Sequence, residues 1–377
     1  MFYMKKALIV TALAGFVRSF LMNDIKTLQE MGYDVTVVAN KDHAGVENIE
    51  QYFADKKIKF INVGFSSNKP ISFKTLKSYF AIKKIVKKEK YDLIHVHTPI
   101  VGIITRFAAR KTRKKGTKVI YTTHGFYFHS KSSKKSWKLY YNAEKMASKW
   151  SDLIITINKE DYQNAKSFNT CQVEYIPGVG VNLDRFKDID VNVDDYKKQL
   201  DIPLNQKVVL TIGELSHRKN HLAVLEALKL INHSNITYLI CGIQMNSDGT
   251  ESLLKEKAKE YGIDMRLLGL RKDIPQICKC ADLGVIPSLR EGLGLAGIEM
   301  IASGLPVIGS NVQGIRDYIK DENGTLVDID NFQELADAIL ENLKNKKSSP
   351  SSVDAFSLEN SITNQREIYI SILGGEL

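Results

Sequence analysis

Apolar residues in the first half of the chain come in short runs, separated by longer segments in which they recur every three to four positions. The runs are rich in β-branched residues and bounded by turn residues, so they predict buried parallel strands. These strands are predicted at Ala7–Thr11, Asp34–Ala39, Leu93–Val96, Lys118–Thr122 and Leu153–Thr156. The periodic segments predict helices at Phe20–Met31, Phe73–Glu89 and Ser136–Lys149. Repeated alternation of strand and helix indicates an open parallel sheet.

The pattern starts again after a polar stretch, residues 187–206, that has no strong periodicity. Further strands are predicted at Lys207–Ile212, Thr237–Cys241, Met265–Leu268, Leu283–Ile286 and Pro306–Ile308. Helices are predicted at Leu222–Ile231, Thr250–Glu260, Ile298–Ser303, Phe332–Leu343 and, after the break KNKKSSPSS, Leu358–Leu373. We therefore predict an α/β protein with two doubly wound domains, at residues 1–186 and 187–356. Such domains bind ligands at the carboxyl ends of their strands.

Composition agrees with two globular domains. The chain has 377 residues, 44% of them hydrophobic and 25% charged, and one domain typically has ~100–200 residues. The four cysteines lack the paired spacing of a zinc site, so we interpret them as reduced thiols in a cytosolic protein. Lys5 and Lys6 before the apolar run Ala7–Val17 imitate a signal peptide, but Arg18 closes the run. A buried first strand is therefore favoured.

Charge is distributed unevenly along the chain. Residues 1–185 carry 32 Lys and Arg against 15 Asp and Glu, a net charge of +17, whereas the remainder carries 21 against 28, a net charge of −7. A basic half joined to an acidic half suggests that the basic half faces a polyanion.

The segment EGLGLAGIE, from Glu291 to Glu299, follows a predicted strand of the second domain. Its glycines let a ligand approach the backbone closely, and the amides at the start of the following helix suit a phosphate. Ionised carboxylates are good acceptors for sugar hydroxyls. A helix-capping acid followed by a surface acid would explain the two glutamates equally well on their own.

The same segment contains G-x-G-x-x-G, at Gly292, Gly294 and Gly297, with Asp317 20 residues further on. This is the spacing of a dinucleotide-binding fingerprint. A true fingerprint, however, follows the first strand of its domain directly. Here the segment comes late in the second domain, which disfavours a dehydrogenase.

Other candidate residues also follow predicted strands. Gly213, Arg218 and Lys219 follow the first strand of the second domain, where cations could stabilise a leaving diphosphate. A solvated basic turn has the same composition. Gly15 follows the first strand of the first domain, and His124 follows a later one. We expect both to line a ligand cleft, against the simpler alternatives of a turn glycine and a structural histidine.

Two D-x-D triplets, at 188–190 and 328–330, have a spacing that could hold a divalent metal with a diphosphate. The first lies in the polar stretch between the domains. Asp330 precedes the predicted helix at Phe332 and is better interpreted as its N-cap. We therefore predict that no metal is required.

Basic and aromatic residues are concentrated in the first domain. Phe73, Leu76 and Phe80 are spaced for one helix face among six lysines, and Trp137 and Tyr141 are i,i+4 neighbours beside three more. Such a composition suits an anionic membrane surface, where each Lys or Arg contributes about 1 kcal/mol. A solvated helix face over an ordinary core is the alternative. A nucleic-acid surface is weaker, because no reader module is present.

Together these motifs resemble glycosyltransferase family 4, whose members are retaining enzymes with the two-domain GT-B fold. The resemblance covers nearly the whole chain. It is most specific at EGLGLAGIEMIASGLPV, residues 291–307, which resembles the family's E-x7-E stretch and the following G-x-P-V. GELSHRKN at 213–220 resembles its phosphate-binding motif. THGF at 123–126 and ITINKEDY at 155–162 resemble a subgroup for capsular and exopolysaccharide assembly, whose members extend lipid-linked sugars at the inner membrane face.

The resemblance implies roles for the matching residues of the second domain. Lys219 would hold the donor diphosphate with Arg218 as a helper, and the amides of Gly294 and Leu295 would bind the phosphate. Glu299 would bind the ribose hydroxyls. Glu291 would contact the transferred sugar.

The resemblance also implies roles in the first domain. His124 would contact the sugar, and Gly15 would let the first loop approach the donor. The terminal helix, residues 357–377, would cross back onto the first domain. The chain departs from the family at Glu214, where many members have an arginine, and at Asp317, where a glutamate is more usual. The first departure bears on the phosphate clamp.

The implied activity is transfer of a hexose or N-acetylhexosamine from a UDP-sugar to a lipid-linked saccharide acceptor in surface polysaccharide biosynthesis. The two domains would face each other across a cleft, and retention would arise by front-face displacement, which relies on positioning and on stabilising the leaving diphosphate. The enzyme would be cytoplasmic, would bind the inner face of the membrane peripherally through its basic domain, and would not bind nucleic acid. Two alternatives stay open: a UDP-sugar epimerase on the same scaffold, and a non-catalytic module that binds membranes or nucleic acid.

Overall fold

The computed structural model describes residues 4–42, 47–65, 72–187, 189–245, 247–345 and 347–374. The chain divides into two compact units. Met1–Val179 and Glu359–Leu377 form unit 1, and Gly180–Leu358 forms unit 2. Within the described ranges, no helix combines the length and the apolar character needed to cross a bilayer.

Unit 1 is built on a parallel sheet with the spatial order β3-β2-β1-β4-β5-β6-β7. Its strands are β1 Lys5–Leu13, β2 Tyr33–Asn40, β3 Lys59–Asn62, β4 Leu93–His97, β5 Lys118–Thr123, β6 Leu153–Thr156 and β7 Gln172–Tyr175. Its helices are α1 Ala14–Phe16, α2 Met22–Glu30, α3 Ile49–Asp55, α4 Phe73–Lys88, α5 Pro99–Arg113, α6 Lys134–Ser148, α7 Lys159–Lys166 and the terminal α16 Leu358–Leu373, with a π-helical turn Val17–Leu21 between α1 and α2.

Unit 2 has a parallel sheet with the order β10-β9-β8-β11-β12-β13. Its strands are β8 Lys207–Ile212, β9 Ile236–Cys241, β10 Asp264–Gly269, β11 Leu283–Ile286, β12 Val307–Ser310 and β13 Gly324–Val327. Its helices are α8 Asp184–Lys187, α9 Val193–Gln199, α10 Leu222–Lys229, α11 Thr250–Tyr261, α12 Ile274–Cys280, α13 Leu295–Ala302, α14 Ile315–Tyr318 and α15 Phe332–Lys344, followed by the 3-10 segment Pro350–Phe356.

The expectation of two doubly wound α/β sheets is confirmed. Each predicted strand overlaps a strand of the structure. Except for the edge strand β10, these are central strands, which are buried on both faces and read as continuous apolar runs. The pattern does not predict β3, β7 and β13. These are edge strands with partly exposed residues, so they lack a continuous apolar run.

Two local predictions differ from the structure. The predicted N-cap Asp330 is wrong, because the side chain of Asn331 accepts the hydrogen bond from the Glu334 amide at 3.2 Å and caps α15 itself. The polar stretch 187–206 contains the short helix α9. Asp188 of the first D-x-D triplet lies outside the described residues.

The terminal helix α16 is fixed to the sheet of unit 1 by a buried polar contact. Tyr369 on α16 is fully buried, and its hydroxyl lies 2.8 Å from His95 Nδ1 on β4. His95 Nε2 in turn lies 2.7 Å from Thr122 Oγ1 on β5. A residue near the chain end therefore supports a strand at the centre of the first sheet.

A buried ion pair connects α5 with α6. Arg106 Nη2 donates to Glu144 Oε2 at 2.5 Å, and both side chains are almost completely shielded from solvent. The guanidinium also lies over the Tyr121 ring, 4.0 Å from its centroid. Burial raises the pKa of Glu144, and the Arg106 charge opposes that rise. The two helices are therefore held together by a pair whose members depend on each other.

Glu144→Ala tests this pair, because it leaves the Arg106 guanidinium buried without its carboxylate. We expect the free energy of unfolding to fall by roughly 3–5 kcal/mol, the usual result of removing one partner of a buried pair. Glu251→Ala, which breaks the exposed pair with Lys255, should cost less than about 1 kcal/mol. Urea unfolding followed by circular dichroism measures both losses, and equal losses would contradict the role of Glu144.

Candidate functional site

Each sheet reverses its strand order beside its first strand. The reversal lies between β1 and β4 in unit 1 and between β8 and β11 in unit 2. Loops leaving the strands on the two sides of such a point diverge, and the crevice between them is where doubly wound sheets bind ligands. The loops after β8 and β11 carry the acidic and basic candidates of unit 2.

These two loops meet at the carboxylate of Glu291. Its Oε1 accepts hydrogen bonds from Lys219 Nζ at 2.6 Å, Arg218 Nη1 at 2.9 Å and Ser288 Oγ at 3.0 Å. We call these four residues the Glu291 cluster. The Leu289 amide also donates to the Arg218 carbonyl at 2.9 Å. The structure thus brings together three of the predicted residues, and Ser288 is a member that the sequence did not single out.

The charges of the cluster depend on one another. Burial would raise the pKa of Glu291, but the nearby Lys219 and Arg218 charges and the hydrogen bonds from Lys219 and Ser288 outweigh it and hold this pKa below its usual value. Glu291 is therefore ionised at neutral pH. In the described residues, every hydrogen bond to this carboxylate falls on Oε1, so Oε2 is the oxygen that can accept from a ligand.

The loop after β8 is shaped by close packing. A Cβ at Gly213 would lie 3.0 Å from Lys219 Cε, so the lysine side chain crosses directly over this glycine. His221 supports the same loop with both ring nitrogens, which lie 3.0 Å from Thr211 Oγ1 and 3.0 Å from the Glu214 carbonyl. Burial lowers the pKa of His221 to about 4, so it is neutral here.

Glu214, one of the departures from the family pattern, lies beside the cluster. Its Oε1 is 3.5 Å from Arg218 Nη2, and both side chains are more than a third exposed. An exposed pair of this kind is weak, with a typical value of about 0–1 kcal/mol. Arg218 therefore remains able to turn towards a stronger anion.

The glycine loop before α13 packs on Tyr318. Gly294 has a positive φ of 84°, and its carbonyl accepts a hydrogen bond from the Tyr318 hydroxyl at 3.1 Å. A Cβ at Gly297 would lie 2.2 Å from that hydroxyl, so the ring fits only beneath glycine. This packing fixes the start of α13 at Leu295, where helix amides point outward and can bind an anion.

Glu299 lies on α13, one turn after Leu295. Burial raises its pKa to about 7, and the charge of Arg185 opposes that rise. Its carboxyl is therefore close to its midpoint at neutral pH. Glu299 is connected to the glycine loop because both belong to the same loop-and-helix segment. Among the described residues, no hydrogen bond connects Glu299 to the Glu291 cluster.

In unit 1, His124 lies in a cluster of rings at the strand ends. Its Nε2 is 3.2 Å from His97 Nδ1, and its ring meets the edge of Phe16 with centroids 4.8 Å apart. Gly15 precedes Phe16, so the structure brings these two predicted positions close together. Burial lowers the pKa of His124 to about 4. His124 is therefore neutral at physiological pH.

The loop that carries His124 is anchored by α7. Asp161 Oδ2 accepts from the Phe126 amide at 3.0 Å, and Glu160 Oε1 accepts from the Ser130 amide at 2.6 Å. Asn158 caps the helix by accepting from the Asp161 amide. The motifs THGF and ITINKEDY therefore form one structural element, a relationship that their separation in the sequence conceals.

A further cluster in unit 1 was not predicted from the sequence. Asp24, His95 and His97 offer potential metal-ligating atoms within 4.8 Å of one another. Both nitrogens of His95 already contact hydroxyl groups. Burial raises the pKa of Asp24 to about 7 and lowers that of His95 to about 3. We interpret the two histidines as structural groups at the strand ends, since His95 contacts a hydroxyl through each nitrogen and His97 contacts His124.

Comparison with family models divides the chain in two. Residues 8–158 match the model "Glycosyl transferase 4-like", and residues 192–354 match "Glycosyl transferases group 1". The second match contains the Glu291 cluster and α13, and the first contains His124.

Two curated relatives match over most of their length. A Bacillus subtilis (strain 168) protein named as glycosyltransferase EpsD is 30% identical over 336 residues, which cover 86% of this chain and 84% of the relative. The UDP-Gal:alpha-D-GlcNAc-diphosphoundecaprenol alpha-1,3-galactosyltransferase of Escherichia coli is 32% identical over 323 residues, 80% of each chain. Neither the epimerase alternative nor the non-catalytic alternative is supported by these relatives.

Solved structures share the fold. Anabaena HepE in complex with UDP and glucose superimposes with a TM-score of 0.76 at 19% identity, covering 97% of this chain and 100% of that one. The sucrose-phosphate synthase of Thermosynechococcus elongatus has a TM-score of 0.77 at 21% identity, with coverages of 98% and 99%. The GT-B expectation is confirmed.

The raised pKa of Glu299 predicts a pH-dependent effect of Glu299→Gln on stability. Well below pH 4.5 the carboxyl is protonated in the folded and the unfolded chain, so it adds no pH dependence to stability. Between pH 4.5 and about 7 the unfolded chain loses the proton first, which destabilises the fold as pH rises. Glutamine carries no such cost, so the variant should gain stability relative to the parent across this window and keep the gain above it.

Urea midpoints at pH 4.5 and pH 8 measure this gain. The exposed Glu256→Gln serves as the control, since Glu256 lies on the solvent face of α11. A gain that is the same at both pH values would show that burial of the Glu299 carboxyl is not its cause.

Proposed function

This chain belongs to the group 1 family of glycosyltransferases, and on that premise we propose that it transfers a hexose or N-acetylhexosamine from a UDP-sugar to a lipid-linked saccharide, with retention at the anomeric carbon. The observation that carries the proposal is the Glu291 cluster. It holds two cations at the point where the strand order of unit 2 reverses, beside the start of α13.

The donor diphosphate would bind where these features converge. Lys219 and Arg218 would supply positive charge, and the amides of Gly294 and Leu295 would supply hydrogen-bond donors. In the free protein both cations are paired with the one carboxylate of Glu291. The diphosphate would replace Glu291 as the partner of these cations, which are already gathered at the site before the donor arrives.

The two glutamates would bind the remainder of the donor. Glu299 would accept from the ribose hydroxyls, and its high pKa fits a carboxyl that becomes fully ionised when hydroxyl donors arrive. Glu291 Oε2 would accept from the transferred sugar. In unit 1 we propose His124, neutral and partly exposed, as a hydrogen-bonding residue for the sugar, and Gly15 as the glycine that gives a ligand close access to the loop after β1.

In the reaction the bond from the anomeric carbon to the diphosphate breaks, and the acceptor hydroxyl forms a bond on the same face. The acceptor proton leaves with a phosphate oxygen. Lys219 and Arg218 would stabilise the negative charge that develops on the diphosphate. Because these side chains supply that charge, we propose that no metal is required.

The names of related proteins support the choice of substrates. HepE was solved with UDP and glucose, which supports a uridine donor. The Escherichia coli relative is named for a diphosphoundecaprenol acceptor, which supports a lipid-linked saccharide. Because THGF and ITINKEDY resemble the capsular and exopolysaccharide subgroup, we propose that the reaction belongs to surface polysaccharide biosynthesis and takes place in the cytoplasm.

A membrane-facing surface would bring the enzyme to such an acceptor. On α4 the side chains of Phe73, Leu76 and Phe80 are 85%, 51% and 56% exposed. Lys83, Lys84, Lys87 and Lys88 line an open depression beside Phe80. Exposed aromatics flanked by cations fit the interface of an anionic bilayer. We propose that α4 binds the inner membrane face peripherally.

Lys219→Ala tests the diphosphate clamp. Removing one donor aimed at developing charge typically lowers turnover about 10²–10³-fold, and we expect a loss of this size with the fold intact. Transfer from UDP-glucose, UDP-galactose and UDP-N-acetylglucosamine to extracted lipid-linked saccharides is measured by mass spectrometry, and UDP affinity by calorimetry. Lys229→Ala, an exposed lysine of α10, is the matched control. A Lys219 variant that binds UDP and transfers sugar like the parent would refute the clamp.

Phe73→Ser combined with Phe80→Ser tests the membrane-facing surface. We expect sedimentation with phosphatidylglycerol-containing vesicles to fall at least about tenfold, since each phenylalanine contributes burial worth roughly 1.5–3 kcal/mol when fully inserted. UDP affinity should not change. If the double variant binds vesicles as well as the parent does, α4 is not the membrane-binding surface.

A further inference from the structure

An apolar groove lies between α5 and α6 of unit 1. Its volume is about 330 Å³, within the range of small-molecule sites, roughly 300–1,000 Å³. It is lined by Pro99, Ile100, Ile103, Ile104, Tyr127, Leu139, Tyr140, Ala143, Glu144 and Met146. Leu139 and Met146 are 62% and 51% exposed, so the groove is open on the surface of unit 1.

The groove begins beside the strand ends that carry the histidines. α5 starts two residues after His97, and Tyr127 lies three residues after His124. In a strand-to-helix connection the helix starts at the carboxyl edge of the sheet, so the first turns of α5 and α6 lie at that edge. The Tyr127 and Tyr140 rings, 5.2 Å apart, both line the groove. Since Pro99 and Tyr127 follow His97 and His124 so closely in the chain, the groove lies near the strand ends that carry these histidines.

The lining selects an uncharged occupant. Glu144 is the acidic member, and its carboxylate is already occupied by Arg106 and by the Tyr121 hydroxyl. The remaining side chains are aliphatic or aromatic. Cations lie close to one end of the groove, because Lys134, Lys135 and Lys138 are exposed on the first turns of α6. Lys135 is one helical turn before the lining residue Leu139.

We propose that this groove binds the first isoprene units of a polyprenyl diphosphate acceptor, with the lysines of α6 facing the diphosphate. This inference rests on the proposed function and assigns the acceptor's lipid a place in it. A branched hydrocarbon next to an anionic group matches the groove and the lysines close to its end. Contact with a bilayer surface would explain the exposed apolar face of α4. It would not explain an indented groove near His124, which a single hydrocarbon chain can fill.

The test uses farnesyl phosphate, which carries three isoprene units, and the full chain in detergent-free buffer. Calorimetry should show binding of farnesyl phosphate and much weaker binding of inorganic phosphate. Leu139→Ser and Met146→Ser should each weaken farnesyl phosphate binding about tenfold, as expected for losing roughly two methylene contacts. Ala143→Phe, which fills the groove, should weaken it further. Leu230→Ser, at a leucine of unit 2 that is 50% exposed, should bind like the parent.

Several outcomes would overturn the inference. Farnesyl phosphate that binds no better than inorganic phosphate would do so, as would equal affinities in the Leu139, Met146 and Leu230 variants. Vesicle binding shows whether the surface around Leu139 simply inserts into lipid. Binding of Leu139→Ser is measured with phosphatidylglycerol vesicles that contain or lack undecaprenyl phosphate. An equal loss of binding to both would mean that this surface contacts bulk lipid and that the groove is not an acceptor site. If Ala143→Phe does not fold, the exposed positions Leu139 and Met146 carry the test.

UDP calorimetry separates this inference from the proposed function. A parent that binds UDP but not farnesyl phosphate refutes the groove and leaves the transferase assignment intact. A parent that binds farnesyl phosphate with the expected variant effects but does not bind UDP supports the groove and refutes the donor site.

Discussion

The buried carboxylate of Glu291 is the constraint on which the candidate donor site depends. A carboxylate with so little exposure is unfavourable unless it is paired, and two cations so close together are unfavourable unless an anion lies between them. The Glu291 carboxylate and the two cations therefore stabilise one another, and Ser288 adds a third hydrogen bond to the carboxylate. The result ties the loop after β8 to the loop after β11. It also holds the Lys219 and Arg218 side chains in place in the absence of ligand.

The two units use one topology for different chemistry. Both sheets reverse their order beside the first strand. In unit 2 the adjoining loops carry full charges that suit a diphosphate. In unit 1 the end of β4 and the loop after β5 carry neutral imidazoles, with His97 buried and His124 partly exposed. Tyr369 contacts the neighbouring His95, and Asp161 holds the loop of His124. The net charge of each half does not follow the charge of its site: the acidic half contains the cationic site, and the basic half contains the neutral histidines. The basic excess of unit 1 lies instead on outer helices such as α4.

The fold was predictable because central parallel strands are buried on both faces. Three of the four edge strands, β3, β7 and β13, were not, since half-exposed segments lose the apolar run; the edge strand β10 was predicted all the same. Glu291 and Lys219 could be proposed individually, but their contact joins residues 72 positions apart. That contact follows only once β8 and β11 are known to be neighbours. Likewise, the sequence pattern does not reveal that Asp161 holds the His124 loop, because a carboxylate in a helix's first turn has an ordinary capping explanation.

The central claim is that the Glu291 cluster and the start of α13 form a nucleoside diphosphate site. A crystal structure of the protein soaked with UDP tests it most directly. The account predicts the diphosphate within hydrogen-bond distance of Lys219 Nζ and the Leu295 amide, with the ribose hydroxyls at Glu299 and Lys219 turned away from Glu291. UDP bound elsewhere, with the Lys219–Glu291 contact unchanged at 2.6 Å, would contradict it.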